Sequence, residues 1–87
     1  MNLENISDKI CSVLITSAYV DEAKEIKGLM INILTLEKHN PIRVSALESL
    51  ISRCHPKWLG DYYINNVSYK EWTDLITKFK NKLIKER

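Results

Sequence analysis

Apolar residues recur at helical spacing along most of the chain. The densest of them lie in Gly28-Leu29-Met30-Ile31-Asn32-Ile33-Leu34-Thr35-Leu36, where Asn32 and Thr35 are the only polar side chains. In a helix, Ile26, Leu29, Ile33 and Leu36 fall on one seam, and Ala23, Met30 and Leu34 widen the apolar face beside it. A face that broad needs cover on more than one side, from other helices of the chain or from a second copy of it.

The flanking patterns predict the other elements. A first helix is expected from an N-cap at Asn5, with Asp8 in its first turn, a stripe of Ile10, Val13 and Leu14, and an end near Ser17 to Tyr19. Cys11 and Ile15 flank that stripe. Asp21 then reads as the cap of the central helix, with Glu22 and Glu25 at its positive end, and the helix stops between Glu37 and Pro41. Gly28 inside it costs about 1 kcal/mol against alanine, so either another backbone approaches closely there or the site simply tolerates glycine.

Ser45-Ala46-Leu47-Glu48 matches a capping box and opens a third helix with Leu47, Leu50, Ile51 and Cys54 on one face. Pro56 ends it, and its exposed side is expected to carry Arg43, Arg53 and Lys57. Between Pro56 and Val67 the bulky groups Trp58, Leu59, Tyr62, Tyr63 and Ile64 fit a short helical turn or an extended piece. Ser68-Tyr69-Lys70-Glu71 is a second capping box. The helix after it places Trp72, Leu75, Ile76, Phe79 and Leu83 on one face and Lys78, Lys80, Lys82 and Lys85 on the other. The expected fold is all-α: a single domain over residues 1–87, built as a small bundle of three to four helices that dimerises through its central helices.

Composition sharpens this picture. A chain of 87 residues buries only about 60–65% of the surface that its unfolded form exposes, which makes extra cover from a partner valuable. Two glycines and two prolines are too few for a turn-rich β fold, and two cysteines do not make a disulfide scaffold. With no signal-peptide pattern, lipidation signal or long apolar run, a cytoplasmic chain with reduced thiols is expected. The net charge of +2 is nearly balanced, but lysines crowd the last twenty residues.

Little in the residue inventory carries self-evident chemistry. Cys11, Cys54, His39 and His55 lack the paired spacing of a structural zinc site, and the cysteines sit on apolar stripes where a thiol packs as a small hydrophobe. Cys54 and His55 are adjacent, and neighbouring helical residues point about 100° apart, so they do not make a nucleophile–base pair. No glycine-rich phosphate loop or paired acidic motif occurs, and no enzymatic activity, cofactor, small-molecule substrate or membrane association is expected. The helix spacings are too long for a helix-turn-helix reader. Arg43, Arg53, Lys78, Lys82 and Lys85 are nevertheless candidate phosphate contacts, against the alternative of a solvated face. Ile26, Leu29, Met30, Ile33 and Leu36 are candidates for the core or a dimer face, and Trp58, Tyr62 and Tyr63 for a partner surface.

Ile6-Ser7-Asp8-Lys9, the acidic segment after it, Gly28 with the run to Leu36, Asn40 and Ser49-Leu50-Ile51 form a pattern. It resembles the small enterobacterial regulators of biofilm development and acid resistance of the AriR/YmgB kind, which are also described as two-component-system connector proteins. The likeness covers about two thirds of the chain and breaks after Cys54, where Cys54-His55-Pro56 and an aromatic insert stand instead of a Leu-Glu helix end. The resemblance implies an all-helical, non-enzymatic homodimer that regulates biofilm formation, acid resistance or envelope-stress phosphorelay output by contacting a signalling protein or DNA. The leading expectation is therefore a bacterial regulatory adaptor that works by protein–protein binding. The alternatives are a DNA-binding, nucleoid-associated regulator and an immunity- or antitoxin-type inhibitor of one partner enzyme.

Overall fold

The computed structural model describes residues 2–54, 64 and 67–86, and among them are four α-helices and no strand: α1 (Leu3–Thr16), α2 (Val20–Thr35), α3 (Pro41–Arg53) and α4 (Tyr69–Lys85). Their stripes meet in one core. Ile6, Ile10 and Leu14 of α1, Ala23, Ile26, Met30 and Ile33 of α2, Leu47 and Leu50 of α3, and Trp72, Phe79 and Leu83 of α4 are all buried. The helices contact each other in a ring, α1 on α2, α2 on α3, α3 on α4 and α4 on α1. One end of the molecule gathers the start of α1, the end of α2, the start of α3 and the end of α4 around a single cleft, so the four run alternately up and down. The radius of gyration of 12.3 Å matches the roughly 12 Å of a folded chain this long.

Local chemistry moves several helix starts from their expected places. α1 begins at Leu3 because the Asn2 side chain, not Asn5, caps it, accepting from the Asn5 amide at 2.8 Å; this brings Leu3 onto the buried stripe. α3 begins at Pro41, a full turn before the expected capping box. Asn40 accepts from the Ile42 amide at 2.9 Å, and Pro41 takes the one position where a missing N–H costs nothing. Ser45 and Glu48 therefore lie inside a helix already started, both exposed. The Ser68 cap stands as expected, accepting from the Glu71 amide at 3.1 Å.

The turn from α1 to α2 leaves no room for an Asp21 cap. The Ala18 amide bonds the Ile15 carbonyl at 3.0 Å and the Tyr19 amide bonds the Leu14 carbonyl at 2.8 Å, a Schellman closure with Ala18 at φ 71°. Tyr19 then serves as the N-cap of α2, and Asp21 and Glu22 fall in its first turn, where the helix dipole still favours them. A left-handed alanine is unusual, because its Cβ crowds the following carbonyl at a cost of about 1–2 kcal/mol. Gly28 shows the opposite mismatch. No backbone approaches it: a Cβ built there meets nothing within 4 Å, and the residue is exposed on α2. The close helix crossing expected at Gly28 is not there, and the glycine only loosens the helix.

These two positions predict a reciprocal pair of stabilising changes. Gly28→Ala should raise stability by about 0.5–1 kcal/mol through helix propensity. Ala18→Gly should do the same by relieving the positive φ, less the entropy that glycine adds to the unfolded chain. Urea unfolding midpoints check both, and the effects should add because the sites share no contacts.

Candidate functional site

The residues with most to say about function fall into a buried clamp at one end of the bundle, a lysine-lined groove between α1 and α4, and an uncovered aliphatic strip on α2.

The clamp is Arg43. Because α3 starts at Pro41, Arg43 shares the inward seam of Leu47, Leu50 and Cys54 and is only 7% exposed. Its Nε donates to the Ile33 carbonyl at 3.0 Å, Nη1 to the Glu86 carbonyl at 3.3 Å, and Nη2 to Glu86 Oε2 at 3.0 Å. Both carbonyls belong to helix ends, where the last C=O groups have no intrahelical donor and carry the negative end of the dipole. One guanidinium thus closes the C-termini of α2 and α4 together. Beside it opens a cleft of about 550 Å³ with Lys38, Lys85 and Glu4 on its walls.

This placement overturns the expectation that Arg43 lies on an exposed face and contacts phosphate. The missed signal was its spacing: Arg43, Leu47, Leu50 and Cys54 form one i, i+4, i+7, i+11 seam, visible only if the helix is started at Pro41. Arg53 is also held within the chain. It pairs with Glu22 at 3.7 Å and with Glu25, tying α3 to α2 at the other end of the bundle.

Lys78, Lys82 and Lys85 are brought together. They lie along one side of α4 facing α1 and line, with Asn81 and Ile6, a cleft of about 270 Å³. None of the three forms an ion pair among the described residues.

Of the candidate core or dimer residues, Ile26, Met30 and Ile33 lie in the chain's own core, while Leu29 and Leu36 are half-buried at its margin. The aliphatic surface that α2 leaves to solvent is a different one, with Ile31 60% and Leu34 51% exposed. Ile31 is two residues from Ile33 and so about 200° around the helix, a separation that the sequence already contained. Trp58, Tyr62 and Tyr63, expected as a partner surface, lie outside the described residues, as do His55 and Lys57.

Both thiols are buried and free. Cys11 donates to the Ala23 carbonyl at 3.6 Å where α1 meets α2, among the small buried side chains of Ser7 and Ala23. Burial pushes the Cys54 thiol up to about 12, with Lys80 opposing, and pushes Cys11 up as well, against the pull of Lys27 and a hydrogen bond from Ser7. No group of three or more His, Cys, Asp or Glu among the described residues is placed to hold a metal, and no helix among them is long and apolar enough to cross a membrane.

Comparison with family models, curated proteins and solved structures returns no match to this chain.

Two predictions rest on this geometry. Arg43→Met should cost about 2–3 kcal/mol, because it strands the buried Ile33 carbonyl and unties the end of α4. Glu86→Gln should cost less than about 1 kcal/mol, because Glu86 is 46% exposed and water screens its charge. Chemical denaturation of the two variants separates backbone capping from ion pairing. For the thiols, the folded protein keeps protons that the unfolded chain releases above its ordinary value of 9.0. Stability should therefore fall between about pH 9 and 12, by up to about 1.4 kcal/mol per unit from Cys54, and Cys54→Ala should flatten that slope. At pH 8 both thiols should resist a disulfide reagent until the protein is unfolded.

Proposed function

We propose that this chain is a non-catalytic regulatory adaptor that works by binding protein, pairing with a second copy of itself and engaging a signalling or transcription component in the cytoplasm. The observation that carries the reading is the strip on α2. Once the chain's own helices have covered Ile26, Met30 and Ile33, Ile31 and Leu34 still stand in water at 60% and 51% exposure, Leu34 at the edge of that seam and Ile31 further round the helix. Val20 is exposed on the same side of α2 at its other end, with the exposed Lys24 and Lys27 between it and Ile31. Such surface finds cover in protein.

A symmetric pairing that buries about 800 Å² per partner is of ordinary size and would relieve a small core of much exposed apolar area. The resemblance to the AriR/YmgB regulators supports the same arrangement and points to biofilm, acid-resistance or phosphorelay control as the output. Binding alters its target only through different affinity for the target's two states, so the adaptor acts by holding one of them or by occluding a surface. The DNA-binding alternative loses Arg43, which is buried against helix-end carbonyls, and Arg53, which is paired with Glu22 and Glu25, and keeps only the α4 lysines.

Light scattering tests the pairing. The wild-type chain should run at twice its 10.2 kDa mass. Ile31→Glu with Leu34→Glu should give the single-chain mass with unchanged helical circular dichroism. A wild-type protein at the single-chain mass, at concentrations up to about 0.1 mM, would remove the dimer from the proposal.

A further inference from the structure

The groove between α1 and α4 has a chemistry that the pairing face does not. Its end nearest the α4 C-terminus is walled by Lys78, Lys82 and Lys85 over an Ile6 floor, in a cleft of about 270 Å³. It adjoins, through the shared Lys78, a second cleft of about 420 Å³ that holds Lys9 and the aliphatic side chains of Val13, Val67 and Leu75. Along α4 in that second cleft, Asp74 stands one turn from Lys78, level with Leu75, and Glu71 lies at the far end. Neither Lys9 nor the three α4 lysines form an ion pair among the described residues, whereas Arg43 and Arg53 both do. The groove is therefore aliphatic along its middle, cationic at one end and anionic at the other.

From this polarity we infer that the groove receives an amphipathic helical segment of a partner protein, with carboxylates at the end that lies against Lys82 and Lys85. The inference rests on the protein-binding reading above and gives that partner a chemistry. Lys78, Lys82 and Lys85 stand at i, i+4 and i+7, a span of about 10 Å, so acidic residues at the same helical spacing meet them in register. An apolar stripe on the same segment covers Val13 and Leu75, the usual mode by which a helix occupies a groove. A continuous polyanion fits less well. A nucleic-acid backbone laid along the groove would run from the lysines onto Glu71 and Asp74, and its phosphates would gain nothing from an aliphatic floor.

The test is fluorescence anisotropy with the full chain and a labelled synthetic helix of about 18 residues, matched to the length of α4 at 1.5 Å per residue. One form carries a leucine stripe, glutamates in one half and glutamines in the other. Its counterpart has lysines in place of the glutamates, and a short duplex DNA is the third probe. The acidic peptide should bind at micromolar concentration at low salt, with the lysine form at least tenfold weaker. Lys82→Glu with Lys85→Glu should weaken the acidic peptide at least tenfold. Lys24→Glu with Lys70→Glu, the same charge change on exposed lysines outside both clefts, should weaken it less than twofold.

The inference is overturned if the acidic peptide does not bind, if the two double variants lose affinity equally, or if duplex DNA binds tighter than the peptide and loses that binding in the Lys82/Lys85 variant. Circular dichroism of each variant guards against misfolding. Mass by light scattering should not change on Lys82→Glu with Lys85→Glu, and peptide affinity should survive Ile31→Glu alone, since Ile31 lines neither cleft whereas Leu34 shares one with Lys85. A failure of the groove and a failure of the pairing face therefore register in different measurements.

Discussion

One guanidinium settles how the two halves of this bundle align. A helix ends with carbonyls that lack donors, and a small protein must bury some of those ends or leave them to water. Arg43 stands where the end of α2 and the end of α4 meet, and reaches a carbonyl of each with two different nitrogens. The contact holds the ends of both helices together; the short links 17–19 and 36–40 set the alternation of α1, α2 and α3, and the arginine joins α4 to it across the longer link 54–68. A lysine would supply a point charge and rotating donors, not the fixed fork that spans two helix ends at once. The exposed Glu86 carboxylate adds to this contact but does not create it, since burial falls on the arginine and on the Ile33 carbonyl.

The alignment determines which surfaces exist. With the ends of α2 and α4 together, the C-terminal turns of α4 lie along the N-terminal half of α1, and this is what sets Lys78, Lys82 and Lys85 beside Ile6. At the opposite end Arg53 reaches Glu22 and Glu25, so two of the acids in the first half of α2 are paired within the chain. Among what α2 leaves open are the aliphatic Ile31 and Leu34, and among what α4 leaves open are the lysines of the α1–α4 groove. The two surfaces differ in chemistry, and the proposed occupants differ with them: a second copy of the chain for the aliphatic one, a charged segment for the cationic one.

Periodicity made the helices legible, because a stripe at 3.6 spacing reports burial directly. Ile26, Ile33, Leu47, Leu50, Trp72 and Phe79 are all where their spacing puts them. Boundaries were harder, and the reason is chemical. A capping box is a local pattern that any serine and glutamate three residues apart can mimic, and Ser45 with Glu48 did so inside a helix that Asn40 and Pro41 had already begun. That one displaced start hid Arg43, since a cation just before a helix reads as solvent-facing and the same cation on its inward seam does not. Gly28 misled for a related reason: a glycine suggests close approach only where something approaches, and nothing in a sequence reports the empty space beside a residue.

Net charge is a poor guide to what such a molecule meets. A total of +2 implies a weak field, yet the sum conceals an internal cancellation. Arg43 and Arg53 are paired with carboxylates of the same chain, while Lys9, Lys78, Lys82 and Lys85 form no ion pair among the described residues. A partner approaching within a Debye length, about 8 Å at physiological salt, meets the local pattern and not the total. On the α1–α4 side that pattern runs from cationic to anionic across an aliphatic middle, and an electrostatic gradient of this kind fixes the direction in which a segment lies more strongly than it raises affinity. For the adaptor role proposed above, direction is what the groove would supply, because a segment held one way round presents the rest of its protein on one side only.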